Sequence, residues 1–230
     1  MHDRGIPMNV SDALNSRTSV RAFLNMPVSE ETVRDILMIA SRSPSGGNLQ
    51  PWHVWALGGE ELTRFKALMG ERIKLYPMGE KPEYNIYPPE LKEPYRTRRF
   101  KNGEDLYRTL GIPREEKAAR LNQLSKNFTF FGAPVGLFFG IDRQMEPGQW
   151  ADLGMYMQSV MLLAKEKGLS TCPQEAWALW HKTVGEFIGL PSHLMLFAGM
   201  ALGYADEAHP INSLRSDRAD PSEFMTISGF

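Results

Sequence analysis

Cysteine is nearly absent from this 230-residue chain: Cys172 stands alone, which excludes an intrachain disulfide framework and suits a reducing compartment. Long apolar runs are missing too. The longest, around Met195 to Leu202, falls well short of the ~20 residues that span a bilayer, and Met1-His2-Asp3-Arg4-Gly5 lacks the apolar centre of a signal peptide. The expectation is a cytoplasmic protein with no membrane segment. Net charge is −1 and the pI is near 6.5, so no global field draws in nucleic acid or an anionic membrane, and any anion must be held by a local site. His2, His53, His181, His193 and His209 show no H-x-x-x-H or Cys/His ligand spacing, which leaves a metal site without support. G-x-G-x-x-G, G-x-x-x-x-G-K and G-x-S-x-G are all lacking. These absences remove a dinucleotide-binding unit, a phosphate loop and a serine-hydrolase elbow.

What is present is the composition of a globular chain, 42% hydrophobic and 23% charged, able to bury a sizeable core as one domain over 1–230 with an excursion. Ser11-Asp12 is expected to cap a short helix through Leu14. Ser29-Glu30-Glu31 starts a second, whose stripe is Val33, Ile36, Leu37 and Ala40. A strand over His53–Leu57 and a helix over Glu60–Met69 follow. Pro134–Ile141 reads as a buried strand, Leu169–Ala176 as a short strand opening into a loop, and Met195–Leu202 as the last core strand. Further helices are expected from Arg114 to about Lys126 and from Leu179 to Ile188, the second stopped by Gly189-Leu190-Pro191. The helix expected over Asp152–Lys167 has almost no polar face, so it needs burial on nearly all sides, which a subunit interface supplies more easily than a monomer. The tail beyond Asn212 ends in an extended Phe224-Met225-Thr226-Ile227, readable as an edge or exchanged strand.

Between about 70 and 114 the apolar period fades and Tyr76, Tyr84, Tyr87 and Tyr95 gather with Arg96, Arg98 and Arg99. Its tyrosines argue against disorder, and a non-periodic stretch of this length reads as a lid over a site or as a structural, dimer-wrapping arm. Nucleic-acid contact by this basic, aromatic cluster conflicts with the balanced charge.

Three polar clusters remain. Arg17-Thr18-Ser19-Val20-Arg21 places two guanidiniums and two hydroxyls where they surround a phosphate or simply end a helix in solvent. Ser43-Pro44-Ser45-Gly46-Gly47-Asn48-Leu49-Gln50-Pro51-Trp52 combines φ-fixing prolines with permissive glycines and short polar side chains. It is either a rigid turn or a set of donors held beside something flat. The third is Cys172-Pro173-Gln174-Glu175-Ala176, with Arg215 and Arg218 beyond it.

In this order, together with Phe131-Gly132-Ala133-Pro134 and Asp152-Leu153-Gly154-Met155, these segments resemble the nitroreductase family of FMN-dependent oxidoreductases over nearly the whole chain. The resemblance implies an α+β sandwich, a central mixed sheet flanked by helices, in an intertwined homodimer with FMN at the subunit interface. It implies that Arg17, Thr18, Ser19 and Arg21 grip the phosphate and ribityl chain, joined by Arg218 or Arg215. Pro44, Ser45, Asn48 and Gln50 then line the cofactor from the other subunit. Pro173, Gln174, Glu175 and Ala176 lie against the ring, with a backbone N–H directed at N5; Ala176 stands where relatives often have Gly. No side-chain acid or base is required, so no catalytic residue is named.

NADH or NADPH is the implied transient hydride donor and a small aromatic such as a nitroaromatic or quinone the acceptor, served in turn by one pocket in a ping-pong cycle. Reductive dehalogenation, flavin breakdown and non-enzymatic flavin binding are the alternatives that share the fold.

Overall fold

In the computed structural model, which describes residues 8–230, four strands form one sheet in the order β1-β2-β4-β3. They are β1 (His53–Gly58), β2 (Val135–Asp142), β3 (Ser170–Gln174) and β4 (Leu194–Gly203). Every pairing between them is antiparallel, and parallel pairing is confined to an isolated bridge from Ser19 to Thr171. The polar start at Met1–Gly5 lies outside the described residues.

Both faces of the sheet are covered, as the apolar run of β2 requires. On one face α2 (Glu30–Ala40) and α6 (Pro147–Glu166) pack Val33, Ile36, Leu153, Tyr156 and Val160 against Leu137, Phe139 and Met200. On the other, α3 (Gly59–Leu75), α7 (His181–Ile188) and the 3₁₀ turns Lys126–Gly132 and Glu175–Trp180 bury Phe65, Phe130, Trp177 and Trp180 against Phe138 and Ala201. Trp177 lies so close over β4 that a Cβ on Gly199 would overlap its indole ring, which is why a glycine interrupts that strand.

A bulge shapes the middle of the sheet. Phe139 faces Ala198 and Gly140 faces Leu196, which leaves Phe197 unmatched. Its carbonyl is not orphaned, because Tyr84 donates its hydroxyl to it at 2.5 Å while the ring stacks on Phe197 and meets Trp150 edge-on.

Several element limits differ from expectation, each for a local reason. Asn9, not Ser11-Asp12, caps α1 (Val10–Ser16) by accepting from the Asp12 N–H. α6 starts five residues early, at Pro147, because Glu146 and Gln149 form a capping box with proline in the first turn. α5 spans Lys117–Ser125, and Leu179-Trp180 belong to the 3₁₀ turn rather than to α7, which ends as expected at Gly189 in the left-handed region. The 70–114 excursion is corrected most. α3 runs on to Leu75, and α4 (Tyr95–Thr109) is a helix with no buried residue, hence with no apolar stripe to announce it.

The tail forms 3₁₀ turns at Pro210–Ser213 and Pro221–Glu223, and Phe224–Ile227 is exposed and pairs with no described strand of its own chain. α6 is not covered on all sides within one chain: Ala151, Gly154 and Met155 face outward.

Candidate functional site

Leaving α1, the chain runs beside β3. The Val20 N–H donates to the Thr171 carbonyl at 3.0 Å, and four residues on the Leu24 N–H donates to Tyr204. Extended backbone alternates its side chains, so buried Val20 fixes the register while Arg17, Ser19 and Arg21 share the other side. Asn212 locks the tail to this segment: its Oδ1 accepts from the Arg21 N–H at 2.8 Å, and its Nδ2 donates to the Ala22 and Asp206 carbonyls, each at 2.8 Å. From there the tail turns back and brings Arg215 and Arg218 to the same place.

The result is a pocket of about 250 Å³ lined by Arg17, Thr18, Ser19, Arg21, Arg215 and Arg218, with Asn102 of α4 closing it. Arg215 donates to the Asn15 carbonyl at 2.6 Å, Arg21 to the Ser19 carbonyl at 3.1 Å, and Arg218 to the Asp217 carbonyl at 2.8 Å. These bonds orient the guanidiniums without neutralising them. Among the described residues, no carboxylate pairs with any of the four. Burial, and after it the charges of Arg218 and Arg215, hold Arg17 below the usual arginine range. Like charges gathered without a counter-ion repel one another, and an anion with several oxygens relieves that repulsion through charge-assisted hydrogen bonds. The donor set thus fits a phosphate monoester.

At the end of β3 the chain enters the Glu175–Trp180 turn. Gln174 is 3% exposed and its amide is committed inward, Nε2 donating to the Asn127 carbonyl at 2.8 Å and Oε1 accepting from Trp177 Nε1 at 3.3 Å. Only its backbone is free to meet a ligand. Pro173, Glu175 and Ala176 are all half-buried, and Ala176 packs against the core cluster that holds Trp177. Burial pushes the Glu175 carboxyl above the usual range. Burial also raises the neighbouring Tyr84 phenol, and the Glu175 charge adds to that effect.

The Ser43–Trp52 loop is rigid, as its composition implies. Ser43 Oγ bonds Ser159 Oγ at 2.7 Å, Gly46 N–H donates to the buried Asp152 carboxylate at 3.1 Å, and Gln50 N–H donates to Ser45 Oγ at 3.0 Å. Asn48 and Gln50 hold φ of 57° and 50°, a left-handed conformation that side chains other than glycine adopt at a cost. The loop is seated on α6, and Pro44, Ser45, Asn48 and Gln50 line no part of the arginine pocket. The structure therefore unites the Arg17–Arg21 cluster with both tail arginines and leaves the loop apart from them.

Asn102 and Asn212 escape sequence reasoning as site residues, and Asp152, quoted there as part of a motif, receives no contact from it. A single amide or carboxylate in a polar or apolar run carries no pattern until the partner segment, over a hundred residues away in two of these cases, is placed beside it.

A profile of the nitroreductase family matches residues 14–204. The chain is 38% identical over 218 residues to the nitrobenzene nitroreductase of Ectopseudomonas oleovorans, covering 95% of this chain and 96% of that one. It is 39% identical over 215 residues to a 4-nitrobenzoate reductase of Pseudomonas putida, covering 94% and 93%. Among solved structures, the FMN and NADPH-dependent nitroreductase NfnB from Sphigopyxis sp. strain HMH superposes with a TM-score of 0.93 at 46% identity, covering 97% of this chain and all of that one. NfnB from Mycobacterium smegmatis in complex with NADPH gives 0.90 at 28% identity, covering 95% and 97%.

Proposed function

Since the chain belongs to the nitroreductase family, we propose that it is an FMN-dependent oxidoreductase that takes hydride from NADH or NADPH and reduces nitroaromatic acceptors. The observation that carries this reading is the pocket of four arginines with no carboxylate partner among the described residues, a site for the phosphate end of FMN. When bound, FMN supplies the two-electron redox centre.

The chain's own residues bind and orient. Arg17, Arg21, Arg215 and Arg218 meet the phosphate charge; Thr18 and Ser19 add hydroxyl donors. The backbone of Gln174, Glu175 and Ala176 lies along the ring, and the inward bonds of Gln174 hold that stretch in place. A cytoplasmic setting agrees with the single, buried Cys172.

We assign Pro44, Ser45, Asn48 and Gln50 to the site of a second copy in a homodimer. Three features support this: a rigid, strained loop seated away from its own arginine pocket; exposed Met38, Ile39, Leu49 and Met155 on adjoining elements; and an exposed apolar tail. Phe224–Ile227 would lie as an exchanged strand along β1 of the partner subunit, an edge of the sheet that no described strand covers, whereas the other edge, β3, is flanked by the Ser19–Val20 segment. Donor and acceptor use one pocket in turn, so double-reciprocal plots should run parallel; quinones fit the same flat site.

The visible spectrum of the purified protein tests the reading. The expected result is an oxidised-flavin spectrum, bleached anaerobically by NADH or NADPH and restored by nitrobenzene or 4-nitrobenzoate. A colourless protein that fails to take up added FMN would overturn it.

A further inference from the structure

Among the polar groups that line the arginine pocket, one comes from the excursion rather than from the three clusters. Asn102 sits in the middle of α4 and lines the pocket beside Arg218. No hydrogen bond to another described residue engages its side-chain amide, whereas each charged neighbour on its helix face is paired.

That face has helical spacing. Arg98, Lys101, Asn102 and Asp105 stand at i, i+3, i+4 and i+7, one stripe of an α-helix, and it is wholly polar. It faces the tail. Arg98 pairs with Glu223 at 2.6 Å, Lys101 with Asp217 at 2.7 Å, and Lys101 also with Asp105 at 2.6 Å. A second cavity of about 380 Å³ lies along this seam, and Asn102 and Arg218 border both spaces. The excursion helix is thus tied to the segment that carries Arg215 and Arg218.

We propose that α4 is the closing wall of the anion pocket and that Asn102 donates its side-chain amide to a phosphate oxygen of the bound cofactor. The assignment rests on the FMN reading above and adds a ligand to it. A neutral donor suits this position: a fifth cation would add repulsion among the arginines, whereas an amide N–H meets an anionic oxygen without it. It also gives the second half of the excursion a task at the phosphate end of the cofactor, distinct from a lid over the ring.

The test compares FMN with riboflavin, which lacks the phosphate, using flavin fluorescence to measure dissociation constants on the full-length chain. Wild type is expected to bind FMN far more tightly than riboflavin, and Arg17→Ala should abolish most of that difference. Asn102→Ala should weaken FMN binding about tenfold, the loss of one hydrogen bond to a charged group, and leave riboflavin unchanged. Asn102→Asp, of the same shape but carrying negative charge, should weaken FMN further and again spare riboflavin.

Unchanged FMN affinity in Asn102→Ala, or an equal loss for both flavins, would overturn the assignment while the pocket's reading stands. A wild type that does not distinguish the two flavins would overturn both. Because Asn102 is exposed, neither variant should alter the melting temperature of the flavin-free chain; a fall there with equal loss for both flavins marks a packing role instead.

Discussion

Cys172 lies on β3 directly after Thr171, the residue that Ser19 and Val20 pair with, and is 1% exposed. Burial pushes its thiol up to about 11; Arg21 and Arg17 pull the other way, and burial prevails. A buried thiol is a poor nucleophile, so a thiol reagent at pH 8 should modify the native protein only as fast as it unfolds, and at once in denaturant. The sign of the pH effect follows from the raised value. An unfolded cysteine loses its proton near about 8.5, whereas the folded one keeps it to about 11. Its contribution to stability is full below the first value and falls as pH rises through the second. Denaturant midpoints measured across that window should decline more steeply for wild type than for Cys172→Ala.

Among elements, α7 shows how the first half of the excursion is fixed. The helix has no side-chain cap of its own, and Glu80 serves from far away in sequence. Its carboxylate accepts from the N–H groups of Lys182 at 2.9 Å and Thr183 at 3.1 Å, and from the Thr183 hydroxyl at 2.7 Å. A negative group at a helix N-terminus is favourable both as acceptor and against the helix dipole. Glu83 adds an ion pair to Arg143 at 2.7 Å, and Tyr84 fills the bulge carbonyl, so residues 80–84 form a strap across the 3₁₀ turn that follows β3.

Glu80→Ala leaves two amide donors and Arg72 without their partner and should cost about 2–3 kcal/mol of stability, read from the shift in denaturant midpoint. Glu80→Gln, which retains acceptor capacity, should cost less. The sequence marks neither this strap nor α4, because both are held by polar contacts between distant segments and hydrophobic periodicity reports only faces that become buried.

For the whole molecule, one chain by itself leaves apolar surface uncovered. Met38 and Ile39 are 64% and 50% exposed, Leu49 55% and Met155 40%, and Phe224 and Ile227 extend the exposure into the tail. The proposed homodimer would bury these groups, and on that reading the 26.0 kDa chain should sediment as two copies. Removing residues 224–230 should shift that equilibrium towards single chains and loosen FMN, measured by sedimentation and by flavin released on dilution; a truncated chain that stays dimeric with full flavin would refute the exchanged-strand reading.

Composition and period by themselves determined the buried strand at 135, the helix after Ser29, the strands at 53 and 194, and the rigidity of the Ser43–Trp52 loop, because burial and backbone restriction are local consequences of residue type. Tertiary structure alone decided that both Arg215 and Arg218, between which the family resemblance left the choice open, join Arg17 and Arg21 in one pocket, that Asn102 and Asn212 stand at that pocket, and that Glu80 caps α7 elsewhere. Those contacts are polar and far apart in sequence, and a lone charge or amide leaves no periodic trace until folding supplies the group that answers it.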